Sequence, residues 1–225
     1  MVESTRVNTN TTSSARLILV ISNSITCLVW LRVLAVYYSY AYSFAFAVPV
    51  PVPFDNDICE TTLRPALFAA LAVSTIELAT SVLGLTRSKP LQVLLFASVR
   101  SGTELLVTPL IGCTSWQHLF TAFCWSVGEI VRFGCFAVDG MIPDSRWAKS
   151  IRYSVGPILF PLGAAGEMLM VIRAASSQGQ QRHRPWLYLV AMLWPAGFYP
   201  LMKQLLRQRR KHFSQEKGKP EIKQI

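Results

Sequence analysis

Six ionisable side chains sit inside long apolar runs of this sequence: Glu77, Arg100, Glu104, Glu129, Arg132 and Glu167. A charge at the centre of a bilayer costs about 3 kcal/mol on insertion scales, so such residues should face a bundle interior and pair there or serve a ligand. Arg100 and Glu104 are four apart, and Glu129 and Arg132 three apart, so each couple shares a helical face. A structural salt bridge accounts for either couple as well as a binding role does. Six such residues in one small bundle go further. They outline a polar pocket within the membrane, roofed by basic loops and suited to a molecule with an anionic head and a long acyl tail.

The elements that must carry these residues are apolar and long. Water is not the chain's main solvent, because 52% of its residues are hydrophobic and only 15% charged. A spanning helix needs about 20 apolar residues, so 225 residues hold six helices and leave no room for a soluble catalytic domain. The expected fold is all-α, a multi-pass transmembrane bundle of six spans occupying 16–206, between a polar N-terminal stretch (1–15) and a basic tail (207–225). The first span starts near Leu17, is interrupted by Arg32, and ends before the loop Pro49 to Pro53; the run after Arg16 is too long for a cleaved signal peptide. The others cover about Pro65–Leu85, Leu91–Ile111, Trp116–Val138, Arg152–Ile172 (with Pro157 and Pro161) and Pro185–Met202. Arg87, Lys89, Arg146, Lys149 and the tail then share one side with the N-terminus, which sets both termini in the cytosol. The loop with Arg173, Arg182 and Arg184 dissents from this charge rule, and five spans is the competing count.

The net charge of +10 is largely a tail effect, since Lys203 to Ile225 holds eight Lys/Arg against two Glu. Such a juxtamembrane cluster marks the cytosolic side and meets anionic lipid headgroups; it is no nucleic-acid signal. Cys27, Cys59, Cys113, Cys124 and Cys135 have no CxxC or Cys/His metal spacing and mostly lie in apolar stretches, so the expectation is no metal and no disulfide framework. No cysteine precedes an arginine across a five-residue gap, so no phosphate-cradling thiolate loop is visible.

Several blocks resemble a known family. Ile76-Glu77-Leu78 through Leu83-Gly84-Leu85-Thr86-Arg87-Ser88, Trp125-Ser126-Val127-Gly128-Glu129-Ile130-Val131-Arg132-Phe133, and Ile151-Arg152-Tyr153 through Phe160-Pro161-Leu162-Gly163-Ala164-Ala165-Gly166-Glu167 are similar to the signature blocks of the very-long-chain (3R)-3-hydroxyacyl-CoA dehydratases, also called protein-tyrosine-phosphatase-like. Pro195-Ala196-Gly197-Phe198 and Arg207-Gln208-Arg209-Arg210-Lys211 resemble its last span and tail, and Asn23 and Trp30 its first. The resemblance implies a six-span enzyme of the endoplasmic reticulum that removes water from a 3-hydroxyacyl-CoA in fatty-acid elongation, without a cofactor, beside other elongation enzymes. It implies a catalytic Tyr and Glu seven residues apart on span five. Two helical turns return nearly to the same face, so both groups can line one pocket that Glu77, Arg100, Glu129, Arg132 and Arg152 complete. Elimination needs a base for the α-proton and an acid for the departing hydroxyl, tasks a carboxyl and a phenol can divide.

This sequence departs from the family where the chemistry is done. Glu167 is present, but the expected Tyr is Phe160, which keeps the ring and loses its proton-bearing oxygen. Phe96 stands where the family has Gln, and Gly156-Pro157 replaces two bulky aromatics. Tyr153, one heptad before Phe160, is the nearest substitute, although ordinary members carry Tyr there too. Two functions follow: a working dehydratase using Glu167 with an unconventional partner, or a silent relative that binds acyl-CoA or elongation enzymes. A solute carrier is disfavoured, because no inverted repeat is visible. The tail lacks a dilysine retrieval signal, since Glu221 occupies a needed position. The topology makes one prediction: the sequon Asn10-Thr11-Thr12 stays unglycosylated and a C-terminal tag on sealed microsomes is open to protease. A glycan on Asn10 or a protected tag would reverse the orientation.

Overall fold

The structure, a computed structural model, describes residues 13–45, 59–86, 89–142, 145–177 and 184–217. The Asn10 sequon, the Pro49 to Pro53 loop, Asp55, Asp57, Arg87, Arg182 and Glu221 lie outside them. The described residues form six long helices and no strand. They are α1 (Ser13–Ala45), α2 (Cys59–Val82), α3 (Pro90–Ile111), α4 (Trp116–Met141), α5 (Arg146–Ser176) and α6 (Arg184–Lys217). The first five are long and apolar enough to cross a membrane. In α6 the apolar part is diluted by Pro185, Pro195 and Pro200 and by aromatics, and the helix continues through the basic run Arg207–Lys211. α1 passes unbroken through Arg32, where the sequence suggested an interruption, and carries that side chain exposed.

The chain folds up and down, each helix antiparallel to the next. α4 is central and packs along both α1 and α5; α2 lies between α1 and α3, and α6 leans on α5. Trp30 and Val33 of α1, Leu63, Leu67 and Leu71 of α2, and Ala122, Trp125 and Phe133 of α4 form the main apolar core. Outside it, α1 exposes Leu17, Ile18, Ile25 and Leu28, and α6 exposes Trp186, Leu189, Met192 and Leu193. That apolar exterior suits lipid, in which only backbone hydrogen-bonded within helices avoids a penalty.

Two helices carry a widened turn, each just before a proline: Cys59–Leu63 ahead of Pro65, and Thr103–Val107 ahead of Pro109. A proline ring collides with the carbonyl four residues back, and a wider turn relieves the clash. At the second, the Thr108 N–H reaches the Thr103 carbonyl, five residues back. Such a turn changes which way the residues in it face, with consequences for Glu104.

The cysteine expectation needs correction. Cys59 and Cys113 form a disulfide with Cα atoms 5.9 Å apart, tying the start of α2 to the turn between α3 and α4. Their separation of 54 residues hides this in the sequence, because only antiparallel packing of α2 and α3 brings the two ends together. The bond lies at the end of the bundle opposite Arg146, Lys149 and the α6 tail, and disulfides form and persist in oxidising compartments. Alkylation of protein unfolded without reductant should therefore label three thiols, Cys27, Cys124 and Cys135, and label five after reduction. Mass spectrometry of the intact chain reads the difference; five adducts without reductant would refute the bond.

Candidate functional site

Four of the buried charges meet in one network. Glu129 of α4 accepts from Arg100 of α3 and from Arg132 one turn further along its own helix, the latter at 2.6 Å and 2.8 Å. Arg132 also reaches Glu77 of α2, at 2.8 Å and 3.0 Å. Two carboxylates and two guanidiniums thus balance, with Glu77 and Glu129 buried and the arginines partly so. Charge-assisted bonds of this kind are the strong ones, and here each acid has at least one bidentate or shared partner. The Glu129–Arg132 couple expected from spacing forms. The Arg100–Glu104 couple does not: Glu104, in the widened turn of α3, faces His118 of α4 at 2.9 Å.

Glu167 lies one layer nearer the disulfide end. Its carboxylate accepts from the Trp125 indole N–H at 2.7 Å, and the Arg100 guanidinium lies over the Trp125 ring at 5.5 Å. Trp125 therefore links the acid on α5 to the charge network on α3 and α4. Small residues make that contact possible. A Cβ on Gly163 would meet the Trp125 ring at 3.6 Å, and one on Gly166 would come within 3.2 Å of the Phe120 ring and collide with Thr121. Close approach through glycine is a common way for helices to associate in membranes. Trp125 is four residues before Glu129, an offset that puts both on one face of α4 and is the sequence signal for this contact.

Phe160 has an aromatic surrounding. Its ring stacks on Phe198 of α6 at 5.0 Å and takes the edge of Phe96 of α3 at 5.6 Å. Three helices meet there through phenyl rings. Phe160 and Glu167 stand two turns apart on α5, about 10 Å of rise. Pro157 and Pro161 lie within this stretch, and α5 continues through both.

Arg152 and Tyr153 form a separate cluster at the basic end. Arg152 donates to the Tyr153 hydroxyl at 2.8 Å and its guanidinium lies 4.7 Å over both the Tyr153 and Phe136 rings. His212 of α6 stands against Tyr153 at 5.1 Å. Fourteen residues separate Tyr153 from Glu167, about 21 Å along the helix, so the two do not act on one bond. The arrangement as a whole is graded: cations and aromatics at the basic end, a phenyl trio midway, and a carboxyl held by an indole beyond.

Residues 71–215 match the protein tyrosine phosphatase-like protein family, PTPLA. The chain belongs to this family. The PTPLA match starts within α2 and takes in every charged residue of the network, Glu167, and the basic stretch of α6, leaving α1 and Cys59 outside. A Schizosaccharomyces pombe protein named as a probable very-long-chain (3R)-3-hydroxyacyl-CoA dehydratase is 32% identical over 99 residues. Those residues are 42% of this chain and 46% of that protein, so the chain spans about half the length of the curated relative it matches. No solved structure matches the chain.

The network predicts where stability resides. Glu129→Gln leaves two guanidiniums facing a neutral amide and should lower stability by about 3 kcal/mol, the low end for breaking a buried ion pair. Asp139→Asn removes a half-exposed partner of Lys149 at 3.6 Å and should cost less than ~1 kcal/mol. Unfolding of the purified chain in detergent compares the two; equal losses would contradict the buried network as the stronger tie.

Proposed function

We propose that this chain is a 3-hydroxyacyl-CoA dehydratase of the fatty-acid elongation cycle in which Glu167 is the base. The observation that carries this reading is the Glu167–Trp125 bond beside the Arg100, Glu129, Arg132 and Glu77 network, which holds a carboxyl in a fixed pose inside an apolar bundle. Glu167 would take the proton from C2 of the acyl chain. The electron pair left behind forms the C2–C3 double bond as the C3–O bond breaks, and the hydroxyl leaves as water with a proton from a second group. The products are a trans-2-enoyl-CoA and water.

The graded site supports an acyl-CoA as substrate. Arg152, with Tyr153 held against it, suits the anionic head at the basic end, and the acyl tail would run down the apolar interior towards Glu167. Tyr153 then orients substrate and does not transfer the proton, given its distance from Glu167. The work belongs in the endoplasmic reticulum membrane, with both termini cytosolic, among other elongation enzymes and lipid. The disulfide, at the end away from Arg146, Lys149 and the α6 tail, favours that orientation.

One observation favours a second reading. Phe160, Phe96 and Phe198 fill with phenyl rings the place where the family's phenol would give the hydroxyl its proton. On this reading the chain binds an acyl-CoA or elongation enzymes without turnover. Phe160→Tyr separates the two. A positioned acid contributes ~10²–10⁴ in rate, and a new phenol in imperfect register should still raise dehydration of a 3-hydroxyacyl-CoA at least ~10-fold. Glu167→Gln should abolish the gain. Acyl-CoA binding without turnover in both the native chain and Phe160→Tyr would establish the binding role; full native turnover that survives Glu167→Gln would refute Glu167 as the base.

A further inference from the structure

The disulfide end of the bundle contains more chemistry than a disulfide needs. The sulfurs of Cys59 and Cys113 and a ring nitrogen of His118 all lie within 4.8 Å of one another, and all three residues are buried. Glu104 stands beside His118, wholly buried, with Oε1 at 2.9 Å from His118 Nε2 and Oε2 without any hydrogen-bond partner. His118 Nδ1 lies 2.7 Å from the Cys113 carbonyl, which can only accept, so Nδ1 carries a proton and donates it. Nε2 then faces a carboxylate oxygen, and the two must share a proton to avoid opposing lone pairs. Buried polar atoms are almost always satisfied, so an orphan carboxylate oxygen on an acid bonded to that imidazole calls for a cause.

We propose that Cys59, Cys113, His118 and Glu104 bind a divalent cation of the zinc class when the Cys59–Cys113 bond is reduced. Two thiolates and an imidazole are grouped as a donor set that suits zinc, Glu104 reaches the site as a fourth donor through its contact with His118, and the thiolates select against magnesium and calcium. The Nδ1–H bond to a backbone carbonyl is the usual outer support of a metal-ligating histidine, fixing the ring so that Nε2, which faces Glu104, is the nitrogen left to a metal. Two sulfurs on one zinc, each at about 2.3 Å, stand roughly 3.8 Å apart. The 5.9 Å between Cα atoms admits that spacing by side-chain rotation alone.

The redox step balances simply. A dithiol or phosphine reductant supplies two electrons, the S–S bond breaks, and two protons from water complete the thiols. Metal binding then expels those two protons and displaces the one shared by His118 and Glu104. Disulfide and metal exclude each other. Either one ties the start of α2 to the turn between α3 and α4, so the bundle end stays fastened in both redox states.

Cobalt(II) is the probe, because its thiolate complexes absorb in the near ultraviolet. The full chain in detergent is reduced anaerobically with a phosphine until five thiols titrate, then given cobalt(II). One equivalent should bind with a thiolate charge-transfer band and the visible bands of a tetrahedral ion, and zinc(II) should bleach both. The oxidised chain should show neither. Cys59→Ser and Cys113→Ser should each remove or strongly reduce the near-ultraviolet band, Cys124→Ser should keep it, and His118→Gln should weaken binding at least ~10-fold. The comparison of reduced with oxidised native chain needs no variant to fold. A chain with five titrating thiols and no charge-transfer band would overturn the proposal. So would an undiminished band in Cys113→Ser, or thiols that stay at three until helicity is lost.

Discussion

Glu129 has nowhere to send its charge except into Arg100 and Arg132, and the arrangement of three helices follows from that. In the membrane interior no water offsets an unpaired ion, so α2, α3 and α4 must present Glu77, Arg100, Glu129 and Arg132 at one level and in matching order. Apolar packing does not impose this. Lipid tails are as apolar as leucine, so helices in a bilayer are sorted by polar contacts and close packing rather than by burial from water. A register shift of one turn on α2 would carry Glu77 away from Arg132.

The same constraint reaches Glu167 through Trp125. That indole is fixed by its helix beside Glu129, covered by the Arg100 guanidinium and pressed by Gly163, and it donates the bond that holds the acid. The charge network that ties the helices together thus also fixes the pose of Glu167. The phenyl trio around Phe160 belongs to a different logic: it joins α3, α5 and α6 by ring contacts alone and contributes no ionisable group. The chain thus sets a carboxyl held by an indole two turns from a cluster of phenyl rings. At the far end, the disulfide beside His118 and Glu104 closes the bundle independently of the charge network.

Much of this was legible in the sequence. Apolar runs of spanning length, punctuated by proline, glycine and basic loops, located every helix, although α5 begins earlier and α6 runs longer than the apolar run alone implied. The spacing of Glu129 and Arg132 was sufficient for their pair, because residues three apart on a helix are neighbours whatever surrounds them. The family blocks singled out Glu167 and Phe160, which the structure sets against Trp125 and between Phe96 and Phe198.

Tertiary structure alone decided which partner each remaining group took. Arg100 and Glu104 had the spacing of a pair, yet the widened turn before Pro109 and the nearness of α4 gave Arg100 to Glu129 and Glu104 to His118. The disulfide joins residues 54 apart, and no local rule could select Cys59 and Cys113 from five cysteines. Phe96, Phe160 and Phe198 read separately as apolar residues on three spans; their stack exists because α3 and α6 flank α5 at the same height. Local sequence determines what is helical and which residues share a face. Contacts between helices depend on register and rotation, which are set by the whole bundle at once, and that is why those pairings appear only in three dimensions.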